Sequence, residues 1–521
     1  MAKWMLRLLT VAAAVVTNSA TPFPPDFGAL WQGRGGDTGE DPMAISLINA
    51  TPYRWQRVYT HQYEADGWEE SIDSGGGWPE YIESGQAAQV LVRPVVWSEE
   101  DAAAEVRYQL QDTSKPMGLQ VEWRAHYTYV LFKDELETMN NGKLTEHALG
   151  WSEGTGGVGF MLAGTEGEFV SNDGPLNWMQ SMLPYIGNLT LRQLALPRSH
   201  NAGMWKVVRP IGLGSAFNTV TQRDNLYHQL GDGGIRVLDI RAARWHDHFR
   251  HAHYTNVKVL GFQGAFGAGI EEMIDIINRF NRDVPGELII FDLHPDVRNA
   301  DTPMWDQLLP FEMDYLYQLL RKLEHRIVIP DDEDVSYWPL SRFIGNGQSA
   351  VLIRVSSSWL SRARDGEGVF PGGAEGFITE KSLQCYDHWS NTDVLDYLMK
   401  DQLAELAKRR PDRDSPLFGT SWLLTQKAAD ILDLNSIISM AAAPWRTLYK
   451  EFWDALTDQT YPNWISIDDS HRSSLKAMAM AINFCLAAGR CGSLGGKVRD
   501  WPREEPPSVL DSLHGRELES D

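Results

Sequence analysis

Leu196-Pro197-Arg198-Ser199-His200-Asn201-Ala202-Gly203 decides how this chain is read. A short apolar run ends in proline, then presents a histidine beside an amide side chain in a turn of small residues. Downstream come Gly234-Ile235-Arg236-Val237-Leu238-Asp239-Ile240-Arg241 and Phe249-Arg250-His251-Ala252-His253-Tyr254. Histidine titrates near neutral pH and can take a proton from an attacking hydroxyl. Arg241 offers a fixed cationic fork that matches a phosphodiester. Taken singly, His200 reads as a loop histidine bonded to backbone, and Arg241 as a salt-bridge partner of Asp239. Their shared position past strand ends makes them candidates.

Working outward, the apolar runs Leu194 to Leu196, Val237 to Ile240, Leu288 to Phe291, Val328 to Ile329, Val351 to Ile353, Trp422 to Leu424 and Trp464 to Ile467 read as buried strands. Ile270, Met273, Ile274 and Ile277 mark one helix face, closed by Pro285-Gly286 before the next strand, and a further helix is expected from Pro175 to Leu183. Repeated strand–helix units over 171–492 predict an α/β fold, a (β/α) TIM-type barrel that is complete or incomplete. Chemistry in such barrels lies where strands end. Asp292 and His294, Arg354, and Asp468 with Asp469 occupy such ends, and Asp387 lies in Cys385-Tyr386-Asp387-His388-Trp389, which offers an acid and a stacking aromatic.

Residues 21–170 follow another rule. Val106, Tyr108 and Leu110 alternate with polar residues, as do Leu119, Val121 and Trp123; Tyr127 to Phe132 and Val158 to Leu162 are further strands. Strands without amphipathic helices between them predict an all-β, sandwich-like region. Its tryptophans fit core packing, or a surface that reads glycan or lipid. Residues 1–20 read as a secretory signal: Lys3 and Arg7, an apolar run from Leu8 to Val16, then small residues. A secreted, extracellular protein follows, with sequons at Asn49 and Asn188. Of three cysteines, Cys485 and Cys491 form the cheapest loop to close. Residues 493–521 are a polar tail. A net charge of -23 argues against a nucleic-acid partner and confines contact with a membrane surface to local apolar groups; the loop carrying Trp359 and Phe370 either supplies these or packs its aromatics back onto the barrel.

In this order the motifs resemble the X domain of phosphatidylinositol-specific phospholipase C, over roughly Pro175 to Gly489. The carrying residues are Leu-Pro-Arg-Ser-His200-Asn201, Gly234-Ile-Arg-Val-Leu-Asp239-Ile-Arg241, His251-Ala252 where the family usually has His-Gly, and Glu287-Leu-Ile-Ile-Phe-Asp292. The resemblance implies a phosphodiesterase acting on phosphatidylinositol or a glycosylated inositol lipid. It makes His200 the general base, His251 the general acid and Arg241 the phosphate grip, with Asp468 orienting the base and Asp239 beside it. Asn201, Asp292, His294, Arg354 and Asp387 become substrate-binding candidates. Calcium-dependent relatives suggest an alternative Ca2+ set of Asn201, Asp239 and Asp292. Arg241 at the middle ligand position argues instead for no cofactor, because a guanidinium takes the space and charge of the ion.

Three rivals remain. A metal-dependent glycerophosphodiesterase or phospholipase D-like enzyme needs acidic ligands near the first histidine, where Asn201-Ala202-Gly203 stands. A binding protein that kept the barrel without turnover would have had no need of both histidines and Arg241. Zinc held by the run His246, His248, His251 and His253 would find only Asp247 as an acidic ligand within the segment.

Overall fold

The computed structural model describes residues 43–497 except 64, 70–76, 95–102, 125–126, 152–155, 258–259, 331–332, 428–434, 471–473 and 495–496. The expected leader, and nearly all of the expected tail, lie outside the described residues.

Eight strands of the second half form one sheet: β1 (Leu196–Ser199), β2 (Val237–Ile240), β3 (Leu288–Leu293), β4 (Ala350–Val355), β5 (Phe377–Thr379), β6 (Cys385–His388), β7 (Leu417–Ser421) and β8 (Trp464–Ile467). Their order is β5-β4-β3-β2-β1-β8-β7-β6, and every pairing is parallel. That is the cyclic order of a (β/α) barrel with one open seam, since among the described residues no pairing joins β5 to β6. The barrel is incomplete. β2 and β3 are buried at every position, as strands covered on both faces must be. Between them the helix Ile270–Asp283 buries Ile270, Met273, Ile274, Ile277 and Phe280, and Gly286 at φ 96° makes the turn into β3.

Two expected strands are not there. Val328 lies in irregular chain and is 72% exposed; a two-residue apolar run has no period to read. Trp422 to Leu424 follows β7, whose Gly419, Thr420 and Ser421 hide the strand from an apolar scan. β6 was silent for a similar reason, because Tyr386 and Asp387 are exposed at the seam. The helix expected from Pro175 spans Trp178–Ile186, starting past the proline.

The first half holds two sheets. One runs Val170–Ser171, Gly157–Ala163, Met43–Ala50, Ala87–Pro94, Ala65–Asp66; the other runs Tyr81–Ile82, Trp55–Tyr63, Ala103–Leu110, Met117–Arg124, Tyr127–Asp134, Glu146–Trp151. A shared core of Ile45, Leu47, Trp55, Val106, Trp123 and Phe160 lies between them, so tryptophans such as Trp55 and Trp123 are packing residues. Strand Met43–Ala50 is buried on both faces: Met43, Ile45 and Leu47 point into the sandwich, while Ile48 and Ala50 join the barrel's core. Gly159 of the neighbouring strand lets Tyr449 of the barrel approach, since a Cβ there would lie 2.5 Å from the ring.

Cys485 and Cys491 form the expected disulfide, and Cys385 is free. The Asn49 sequon is a correction. Its side chain is fully buried and its Nδ2 donates to the carbonyls of Tyr53 and Ile82, which leaves no room for a glycan; Asn188 is exposed.

Candidate functional site

Strand register assembles the site. Asp239 of β2 pairs with Asp292 of β3, and Asp292 with Arg354 of β4. On the other flank Ser199 pairs with Leu238 and with Ile467, so His200, Asp239 and Asp468 reach one level a residue further on. Parallel neighbours in register share a face. Five of the expected site residues therefore form a single layer at the C-terminal mouth of the barrel.

His200 Nδ1 lies 2.7 Å from Asp468 Oδ1, and its Nε2 lies 3.0 Å from Asn201 Nδ2. Asn201 adopts φ 47°, a left-handed conformation asparagine tolerates, and its own N–H donates to Asp239 Oδ2 at 3.1 Å. Its side-chain oxygen faces His251 Nε2 at 3.3 Å, and the N–H of Arg241 donates to His251 Nδ1 at 3.4 Å. These contacts admit one direction of donation: Arg241 N–H to His251, His251 Nε2–H to Asn201, Asn201 amide to His200 Nε2, His200 Nδ1–H to Asp468. Both tautomers are thereby set, and His200 Nε2 is left unprotonated as the acceptor of the Asn201 amide. Burial raises the Asp468 carboxyl pKa, an effect that His200 beside it partly offsets.

The two histidines of the second motif part company. His251 is fully buried with both ring nitrogens engaged, and burial pulls it down to about 3. His253 is partly exposed; its Nδ1 donates to the Thr219 carbonyl at 3.0 Å, and its ring lies edge-on to His200 with centroids 6.3 Å apart. Burial, with Arg241 nearby, brings it to about 4. Both ride on a ribbon, His248–Val257 paired with Gly261–Gly269. On the ribbon's other face Tyr254, Phe262 and Phe266 pack on Trp305, and Trp245 stacks on Phe266. Gly203 lets the ribbon lie down on the His200 turn, for a Cβ there would be 2.4 Å from that of His251.

Arg241 holds Asp239 Oδ2 through Nε and Nη2, each at 3.2 Å, and its side chain stays 34% exposed. The floor beneath is a motif residue for which the resemblance implies no role. Arg198, only 7% exposed, donates to Asp387, to Asp292 at 3.2 Å and to Ser466 at 3.3 Å. Burial opposes its charge, but Asp387, Asp239 and Asp292 outweigh that and raise its pKa. Arg354 donates to the other oxygen of Asp292 and to the Leu383 carbonyl. Burial would raise the Asp239 carboxyl, yet Arg241 and Arg198 hold it well below the usual range. His294, lowered by burial and by Arg241, receives the Asp296 N–H at Nδ1.

A calcium ion does not fit this set. Asp239 faces Arg241 and Arg198, Asp292 faces Arg198 and Arg354, and the Asn201 oxygen faces His251. Among the described residues no three His, Cys, Asp or Glu groups are placed together to hold a metal ion. Of the two readings open for the loop after Arg354, its aromatics follow the one that packs them back onto the barrel. Trp359 is 1% exposed with Nε1 donating to the Pro295 carbonyl, and Phe370 packs on Tyr317 and Phe377. No helix among the described residues is long and apolar enough to cross a membrane.

No family model matches the chain. Among solved structures, two are similar to part of the chain. One is a point mutant of the phosphatidylinositol-specific phospholipase C from Staphylococcus aureus, at 15% identity and a TM-score of 0.41, covering 60% of this chain and 97% of that one. The other is the phosphatidylinositol-specific phospholipase C from Listeria monocytogenes, at 15% identity and a TM-score of 0.40, covering 59% and 98%.

Proposed function

We propose that the barrel mouth cleaves a phosphodiester of an inositol lipid by internal attack, without a metal. The observation that carries this reading is His200, bonded through Nδ1 to Asp468 at 2.7 Å so that Nε2 is its unprotonated nitrogen, beside a partly exposed Arg241. His200 takes the proton of the inositol 2-hydroxyl once that hydroxyl displaces the Asn201 amide. The freed oxygen attacks the adjacent phosphorus, and the diacylglycerol oxygen leaves with its bonding electrons. Arg241 stabilises the charge on the phosphoryl oxygens. Nucleophile and phosphorus belong to one molecule, which gives high effective molarity.

The proton for the leaving oxygen is assigned to His253. His251 was the expectation from the motif, but its full burial and two engaged nitrogens suit it to hold Asn201 in place. His253 has an open Nε2 across from His200; the proton lost to His200 is matched by one given at Nε2, and the phosphate anion beside it favours its charged form. Asp292, Arg354, Asp387 and His294 line the place where the inositol hydroxyls would rest. Secretion through the 1–20 leader and transient contact with a membrane surface belong to the same proposal. The test is phosphatidylinositol with excess EDTA, followed by phosphorus NMR. A cyclic inositol phosphate forming at an undiminished rate supports the reading; loss of turnover in EDTA, restored by calcium, returns Asn201, Asp239 and Asp292 as ligands.

A further inference from the structure

The strand ladder stops one residue short of the pair it serves. Ser199 of β1 and Ile467 of β8 are its last partners, and beyond them both chains turn through left-handed residues, Asn201 at φ 47° and Asp469 at φ 54°. His200 and Asp468 stand where the two chains part. Past Ser199 the His200 N–H still reaches the Ile467 carbonyl, but at 3.3 Å. The side-chain contact between His200 and Asp468 is tighter, at 2.7 Å, so a small shift of either turn breaks it.

A dipeptide from elsewhere ties the two turns together. Thr221-Gln222 lies shortly before the helix Leu226–Leu230. Gln222 is fully buried, and its amide uses both donors and both lone pairs. Nε2 donates to the His200 carbonyl at 2.8 Å and to the Ile467 carbonyl at 3.2 Å. Oε1 accepts the Ser470 N–H at 2.9 Å and the Ser470 hydroxyl at 2.7 Å. The carbonyls can only accept and the Ser470 N–H can only donate, so the amide has one orientation. Thr221 reinforces it: its carbonyl accepts the Asp469 N–H at 2.8 Å, and its hydroxyl lies 3.2 Å from the carbonyls of both His200 and Asn201. Trp445 adds a further tie, with Nε1 donating to the Asp468 and Asp469 carbonyls at 3.2 Å each.

We propose that Gln222 is a positioning residue for the His200–Asp468 pair. Its four bonds go to backbone and to Ser470, not to the two reacting side chains. It holds the backbone of His200, and the backbone on either side of Asp468, at one fixed separation. Methionine would fill the same space without the bonds. Asparagine would keep the amide but is one methylene too short to span both turns. This role rests on the reading of His200 as the base, so one arm of the test uses turnover and another needs none.

In folded Gln222→Met, kcat on soluble short-chain phosphatidylinositol should fall about tenfold to a hundredfold, with KM within about threefold, as misplaced catalytic groups do. In an Asp468→Ala background the same change should cost no more than about threefold, because it acts largely through that carboxylate. The second arm is NMR of the full-length protein labelled at histidine. The His200 Nδ1 proton, held on a buried carboxylate, should be protected from exchange in the wild type, and lost in Asp468→Ala and in Gln222→Met. If Gln222→Met does not fold, Gln222→Asn takes its place with the same expectations. A kcat within about twofold of wild type, full additivity with Asp468→Ala, or a protected Nδ1 proton in the variant would each overturn the proposal. A wild-type protein without turnover whose Nδ1 proton is nevertheless released by Gln222→Met would sink the proposed reaction and leave the positioning role standing.

Discussion

Two clusters of buried charge stand at opposite ends of the same barrel. At the N-terminal end Arg236 and Glu287 are both fully buried. Arg236 donates to Glu287 and to the carbonyls of Leu230, Ile235 and Leu176, while Glu287 also accepts the N–H groups of Met179 and Gln180 at the start of helix Trp178–Ile186. Every group is used up inside the protein. At the C-terminal end Arg198 and Arg354 converge on Asp292, yet the buried Nε of Arg198 is left without a partner among the described residues, Arg241 and His253 are partly exposed, and His200 Nε2 accepts from the Asn201 amide. Closure marks the cluster that holds the fold; incompleteness marks the one that can act on a ligand.

The largest effect should separate the two ends. His200→Ala should lower turnover about 10²–10⁴-fold with thermal stability little changed, as acid–base groups typically contribute. Glu287→Ala should do the reverse, costing about 3–5 kcal/mol because it leaves Arg236 buried and unpaired. Denaturant titration beside kinetics reads both; a large stability loss in His200→Ala would erase the distinction. Trp359→Ala should also fall on the structural side, at about 3–5 kcal/mol, with vesicle lipid and a soluble analogue losing turnover alike. A selective loss on vesicles would revive the loop as a membrane contact.

Within the mouth, the comparison sharpens between neighbours. His253→Gln should reduce turnover about 10²-fold or more, whereas His251→Gln should act mainly through stability and a looser Asn201. If His251→Gln is the more damaging to turnover in protein of normal stability, the acid has been misassigned.

The smallest effect is a pH dependence. His251 and His253 are held near 3 and 4, below the value of about 6.5 they have when unfolded. The unfolded chain therefore takes up protons that the folded one refuses. Stability should be full above about pH 6.5 and decline as the pH falls toward 4, and His251→Gln should flatten that decline. Equal slopes in both proteins would mean the histidines are not the source.

Much of this was legible in the chain, for reasons tied to particular residues. Strands with an apolar run, such as Leu288–Leu293, announced themselves, and what followed them was the site. β6 and β7 did not, because Asp387, Gly419 and Thr420 interrupt the run at the barrel's seam and interior. Arg198 was visible in the sequence but its role was not: only the register shows that it lies under Asp239 and Asp292. Nor does sequence distinguish His251 from His253, which share a face and differ only in depth.

The central claim is that His200 works on a hydroxyl of the substrate and not on water. Phosphorus NMR of phosphatidylinositol beside its 2-O-methyl analogue tests this most directly. The account expects a cyclic phosphate from the first and no cleavage of the second. Cleavage of the 2-O-methyl lipid at a comparable rate would contradict it.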